Sequence, residues 1–310
     1  MRVRILGSAA GGGAPQWNCG CTNCRGIRTG ELRAVARRQE SVAVSGDGHA
    51  WVILNASPEI RAQVESFRGL WPRAPRHSPI AALVLTNGDL DHVLGLLSLR
   101  ESHPLTVFAT ETVRRGFTEG NVLYRTLERF EGQVTWRRFR LGEETALAPG
   151  LTVIPFAVPG KRPIHLELGA PAGASGGAGD DRAEDSIGLS IRGAGGGGSK
   201  LVYVSAAAAW TPEIEARASG ADAVFFDGTF WSSDELIAAG LGTKRAEEMA
   251  HLPIGGPGGG LERLARLDAR RKILIHINNT NPILRDDSPE RAAVVAAGVE
   301  VAHDDMELEL

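Results

Sequence analysis

Three sets of side chains in this 310-residue chain have types and spacings that can do chemistry. The first is Thr86-Asn87-Gly88-Asp89-Leu90-Asp91-His92, which crowds two carboxylates and an imidazole into one short stretch. Carboxylate oxygens with an imidazole nitrogen suit Fe(II), Mn or Zn, and a cation would relieve the clustered negative charge. The plainer alternative is a polar turn in which Asp91 sits near a helix N-cap. The second set is Cys19-Gly20-Cys21-Thr22-Asn23-Cys24. Thiolates this close converge readily on one tetrahedral zinc and supply three of its four ligands, so a structural zinc is expected. Reduced surface thiols are the alternative, and a redox C-x-x-C has no thioredoxin-like context here. The third set is dispersed. Asp227 ends an apolar run, His251 precedes a glycine-rich stretch, and His276 lies in Leu274-Ile275-His276-Ile277. A His among Leu and Ile is commonly a satisfied core residue, but Asn278, Asn279 and Asn281 offer amides able to orient a ligand. His49, His77, His103 and His165 stand in turn or surface contexts and take no role.

Apolar patterning places these groups. A buried strand is expected at 81–85 and an apolar-periodic helix after His92, so the first cluster occupies a strand-to-helix loop. Strands at 41–45 and 51–55 flank a hairpin signal, and Pro58 opens a helix running to Phe67. Further strands are expected at 105–109, 134–139 and 151–156, with a helix-rich segment up to about Arg129. The second half repeats the alternation, with strands at 164–168, 187–191, 201–204, 223–227 and 272–277. A helix from Ser233, another near Pro289 and two short terminal strands complete it. The glycine turn at 7–13 could let a backbone approach a ligand, but no P-loop Lys follows. Gly-rich loops at 169–186 and 193–199 carry no packing signal. Antiparallel strands followed by βα units, twice over, predict one α/β (α+β) domain over 1–310, built as a four-layer αββα sandwich.

The chain is 43% hydrophobic, enough for a large core, and its net charge of -3 gives no electrostatic case for nucleic acid or a membrane surface. The N-terminal stretch lacks a signal-peptide apolar region, and three clustered cysteines do not form a disulfide framework. A soluble, cytoplasmic protein is expected.

The loop ending Asp91-His92 resembles the metal-binding loop of the metallo-β-lactamase superfamily, whose usual form is H-x-H-x-D-H. The Phe226-Asp227-Gly228-Thr229-Phe230 segment, the His251 loop and His276 recur there in the same order. A closer resemblance is to the coenzyme PQQ synthesis protein B family. It is carried by Leu6-Gly7-Ser8-Ala9-Ala10-Gly11-Gly12-Gly13, Pro15-Gln16-Trp17-Asn18-Cys19, Phe226-Asp227-Gly228-Thr229-Phe230-Trp231 and His276-Ile277-Asn278-Asn279-Thr280-Asn281-Pro282. The chain departs from the superfamily pattern at several ligands. Asn87 and Asp89 replace the first two His, Val158-Pro159-Gly160-Lys161 lacks an imidazole, and Ser205-Ala206-Ala207-Ala208 lacks the bridging Asp. A two-metal hydrolytic clamp is therefore not expected. What survives is close to a 2-His-1-carboxylate set, the signature of non-haem Fe(II) sites that activate O2.

The resemblance implies a role in making pyrroloquinoline quinone. The expected step is Fe(II)- and O2-dependent hydroxylation of the tyrosine ring in a peptide-derived, cross-linked Glu-Tyr unit. Asp91, His92 and His276 would hold the iron, with Asp89 a further ligand or a base. His251 and Asp227 would transfer protons or lie just outside the metal ligands, or Asp227 would only orient His251, and Lys161 or a nearby Arg would hold substrate carboxylates. A hydrolase of the same fold and a non-catalytic carrier for export are the alternatives. In a related phosphodiesterase family, a His at the position of Asn279 completes the zinc site, so His303 and Asp304 are further candidates for the fourth ligand.

Overall fold

The computed structural model describes residues 1–163, 165, 180–193 and 198–310. Two seven-stranded sheets form among them. The first contains β1 (Arg2–Gly7), β2 (Ser41–Ser45), β3 (Trp51–Leu54), β4 (Ile80–Val84), β5 (Leu105–Ala109), β6 (Val134–Arg138) and, beside β1, β14 (Glu307–Glu309). The second runs from β7 (Thr145–Ala148) through β8 (Leu151–Ala157), β9 (Ile187–Gly193), β10 (Lys200–Val204), β11 (Ala221–Asp227) and β12 (Ala269–Ile275) to β13 (Glu300–Val301). In each sheet, antiparallel strands give way to parallel βα units, with β3 to β6 and β10 to β13 parallel.

Side chains alternate between the faces of a strand, and here both faces are covered. Val42, Val44, Val52 and Leu54 point into the core between the sheets, against Leu189, Ile191, Tyr203 and Phe225. Ala43, Trp51 and Ile53 on the same strands face outward, to Ile60 and Leu70. On the second sheet, Val202, Val224 and Leu274 lie beneath Ile214, Leu264 and Val294 of the helices Pro212–Ala218, Gly260–Arg266 and Pro289–Ala296. The expected four-layer αββα sandwich is what forms. No described helix is long and apolar enough to cross a membrane.

Several local expectations shift. The helix expected from Pro58 runs Ile60–Glu65, and that expected from Ser233 shrinks to the single turn Glu235–Ala238. After the Asp-His pair there is one α-turn, Leu90–Val93, which tightens into a 3-10 segment, Leu94–Ser98. Close packing is the cause: Gly95 donates to the Ala56 carbonyl, and a Cβ there would lie 2.0 Å from the Ser57 oxygen. The strand β7 and the helix Pro212–Ala218, capped by Thr211, go beyond the expected elements. Apart from His165, the strand expected at 164–168 lies outside the described residues, as do most of both Gly-rich loops; Asp180–Glu184, within the first loop, forms a 3-10 turn. The carboxyl ends of β1, β4, β10, β11 and β12 gather along one rim, the usual ligand side of α/β sheets.

Candidate metal centre

The loop after β4 is held from below. Asn55, in the left-handed region at φ 60°, accepts both the backbone N–H and the hydroxyl of Thr86 at 3.0 Å. Asn87 Oδ1 accepts the Asp89 N–H at 2.9 Å. The helical turn that follows delivers Asp91 and His92 to the rim. From the other sheet, β12 stops at Ile275 and His276 takes φ 60°, a conformation uncommon outside glycine. That turn brings His276 Nε2 to 3.2 Å from Asp91 Oδ2. His92 Nε2 is 3.8 Å from the same oxygen, and the ligand atoms of Asp91, His92 and His276 all lie within 4.8 Å of one another.

Both ring nitrogens of His92 are buried without a hydrogen-bond partner among the described residues. Such an orphaned group costs about 1–3 kcal/mol, which a cation bound by the imidazole would offset. The donor set and this orphan fit a divalent metal. Burial pushes the Asp91 carboxyl up, but the neighbouring His92 and the His276 hydrogen bond and charge outweigh it and hold Asp91 below its usual range. Burial pulls His276 down, and the Asp91 hydrogen bond and charge more than reverse that, raising it above 6.5.

The structure does not bring Asp89 into this group. Its carboxylate faces Lys161 Nζ at 3.6 Å, in the half-exposed mouth of the loop. A different carboxylate stands closer to the imidazoles. Glu40 is fully buried with Oε2 3.6 Å from His92 Nε2, and it accepts hydrogen bonds from the Tyr203 hydroxyl and from Asn55 Nδ2. Burial raises its pKa, against the opposing pull of His92, Tyr203 and Asn55. Glu40 lies in a connection before β2 with no motif around it, so sequence patterning offered no signal for it.

Asp227 and His251 are brought together. His251 Nδ1 is 2.7 Å from Asp227 Oδ2, which also accepts the Ala207 N–H at 2.9 Å. Asp227 Oδ1 accepts the N–H and the hydroxyl of Thr229, at 3.0 and 2.6 Å. Burial raises the Asp227 pKa, but His251 and these bonds outweigh it and the net shift is downward. Asp227, His251 and His276 also lie within 4.8 Å of one another, with Asp227 and His251 directly hydrogen-bonded. Asn281 ties the two loops together by donating to the Gly228 and Thr229 carbonyls at 3.0 and 3.2 Å.

The glycine turn after β1 lies directly over the site: a Cβ on Gly11 would be 3.2 Å from Asp91 Oδ2. Ala10 and Ile277 are joined backbone to backbone, which carries the cysteine segment alongside Asn279. Cys21 caps the helix Thr22–Thr29, and Cys24 lies in its first turn. Asn279 Nδ2 is 3.3, 3.7 and 3.2 Å from the sulfurs of Cys19, Cys21 and Cys24. In a tetrahedral zinc site with Zn–S of about 2.3 Å, the fourth donor lies roughly 3.5 Å from each sulfur. The Asn279 amide nitrogen therefore lies where a fourth donor would, and turning the amide over would present its oxygen to a cation. His303 and Asp304 are engaged elsewhere. His303 is exposed, and Asp304 accepts from Ser8 Oγ at 2.8 Å and the Arg38 N–H at 2.7 Å. Burial pushes the Cys24 thiol up to about 11, while N–H donors from Cys24 and neighbouring groups offset burial and lower Cys21. A cleft of about 1250 Å³ lined by Arg115, Arg138 and Arg140 meets the metal loop only at Leu90 and Val93.

A β-lactamase superfamily domain matches residues 50–277. The chain is 47% identical to a coenzyme PQQ synthesis protein B of Azotobacter vinelandii, over the whole of both chains. The crystal structure of zinc-bound PqqB from Methylobacterium extorquens superposes with a TM-score of 0.90 at 43% identity, covering all of both chains. A diphosphatase of the PhnP family shares the fold at a TM-score of 0.67 and 21% identity, over all of this chain and 98% of the other. The chain therefore belongs to the coenzyme PQQ synthesis protein B family, within the β-lactamase superfamily.

Proposed function

We propose that this protein acts in pyrroloquinoline quinone synthesis as a non-haem iron hydroxylase, working on the tyrosine ring of a peptide-derived, cross-linked Glu-Tyr precursor. The observation that carries the reading is the trio Asp91, His92 and His276, two imidazoles and one carboxylate converging with an orphaned His92. Asp91, His92 and His276 would hold Fe(II), which supplies the O2-activating chemistry. Insertion of one oxygen atom into a ring C–H bond consumes O2, two electrons from a reductant and two protons, and the second oxygen leaves as water.

The remaining residues bind and handle protons. Asp227 holds His251 with Nδ1 engaged, so Nε2 is the nitrogen left to exchange a proton with the phenol. Lys161, beside Asp89 at the mouth, offers a cation to the substrate's carboxylates. The Asn279-Cys19-Cys21-Cys24 cluster would hold a separate structural zinc.

The test is anaerobic reconstitution with Fe(II), followed by metal analysis and O2 uptake with a cross-linked Glu-Tyr substrate and ascorbate, in wild type and His276→Ala. One zinc in both proteins, one iron in wild type alone, and substrate-dependent uptake in wild type alone are expected. Two zincs with esterase activity and no uptake would establish a hydrolase instead. A tight complex with pyrroloquinoline quinone and no second metal would establish a carrier.

A further inference from the structure

Thr229 is not a metal ligand, yet its hydroxyl links Asp227 to His276 in a buried chain of hydrogen bonds. Thr229 Oγ1 lies 2.6 Å from Asp227 Oδ1, 2.8 Å from His276 Nδ1 and 3.0 Å from the His276 carbonyl. A hydroxyl has one proton to give. Asp227 is a fully buried carboxylate that only accepts, and its bond to Thr229 is the shortest of the three, so the proton goes there. The Thr229 oxygen must then receive a proton from His276, which places the His276 proton on Nδ1. Its other nitrogen, Nε2, is the one turned to Asp91.

We propose that Thr229 is a positioning residue that relays Asp227 to His276, fixing the Nδ1–H tautomer so that Nε2 presents its lone pair to a divalent cation shared with Asp91 and His92. Asp227 thereby orients two imidazoles at once, His251 directly and His276 through a hydroxyl. The turn at φ 60° sets both the ring and the carbonyl of His276 against Thr229 Oγ1; the turn does not choose the ring's tautomer, and the Thr229 contact does. This inference rests on the divalent-metal reading of the trio and is independent of whether that metal is iron.

The test compares Thr229→Val, which keeps shape and removes the hydroxyl, with Thr229→Ser, which restores it. In metal-free protein, imidazole 15N shifts should show a proton on His276 Nδ1 in wild type and Thr229→Ser, alongside the Nε2–H that faces Asp91, with the Nδ1 proton lost in Thr229→Val. The His251 shifts should move less, because its bond to Asp227 does not pass through Thr229. Mn(II) affinity should fall about 10- to 100-fold in Thr229→Val and stay within a few-fold of wild type in Thr229→Ser. An unchanged His276 tautomer or unchanged Mn(II) affinity in Thr229→Val would overturn the assignment, as would a failure of Ser to rescue. Absence of Mn(II) binding in wild type would instead defeat the metal reading, and the 15N measurement would still decide the role of Thr229.

Discussion

Glu40 shows how one side chain is tied to several others at this site. It is completely enclosed and accepts from Tyr203 and Asn55, while Asn55 also holds Thr86 at the base of the metal loop. Removing the carboxyl takes one hydrogen bond from a buried hydroxyl and one from a buried amide, which keep their 3.1 Å bond to each other, and each loss costs about 1–3 kcal/mol. Glu40→Ala should therefore destabilise the protein by about 2–5 kcal/mol in a denaturant titration. Glu40→Gln keeps the volume and one acceptor, and should lose roughly half as much. Equal losses in the two variants would show that volume, and not hydrogen bonding, is what Glu40 contributes.

The loops after β11 and β12 act as one unit, stitched by Asn281 and by Glu235 on the single-turn helix Glu235–Ala238. Glu235 accepts the Trp231 N–H at 2.6 Å and the Thr280 hydroxyl at 2.5 Å, so it reaches both loops. Burial raises its pKa from 4.5 to about 7 despite those bonds. The folded protein keeps a proton there that the unfolded chain releases near pH 4.5, so this contribution to stability is full below that value and falls away as the pH climbs towards 7. Its size, allowing for the partial exposure of the residue, is on the order of 2 kcal/mol. Unfolding titrations between pH 4.5 and 8 should show the decline in wild type and a flatter profile in Glu235→Gln. Parallel profiles would place the pH dependence elsewhere.

At the level of the whole sandwich, the candidate metal group draws on both sheets. Asp91 and His92 follow β4 in the first sheet, and His276 follows β12 in the second. A cation held by all three binds the folded state only, because the unfolded chain scatters the ligands. At a hundredfold excess over Kd, Mn(II) should add about 2.7 kcal/mol of stability. For a protein of this size that corresponds to a rise in Tm of roughly 4 °C. His276→Ala should abolish the rise at the same concentration, and a thermal melt followed by circular dichroism would check both.

Much of this was legible in the amino-acid order because it is local. Strand alternation announced both sheets, and Cys19, Cys21 and Cys24 announced a thiolate site within one short segment. Asp91-His92 stood out because a carboxylate and an imidazole ended an apolar run. The partners of these groups come from distant parts of the chain, and only the tertiary structure decided them. Asn279, and not His303 or Asp304, meets the sulfurs because the backbone of Ala10 joins that of Ile277. Asp89 turns to Lys161 while Glu40 reaches His92, although Asp89 is the nearer in sequence. Thr229 reads as an ordinary loop residue until β11 and β12 lie side by side and set its hydroxyl against His276. Periodicity reports which face of an element is buried; which polar atoms then meet across those faces depends on packing between strands far apart in sequence.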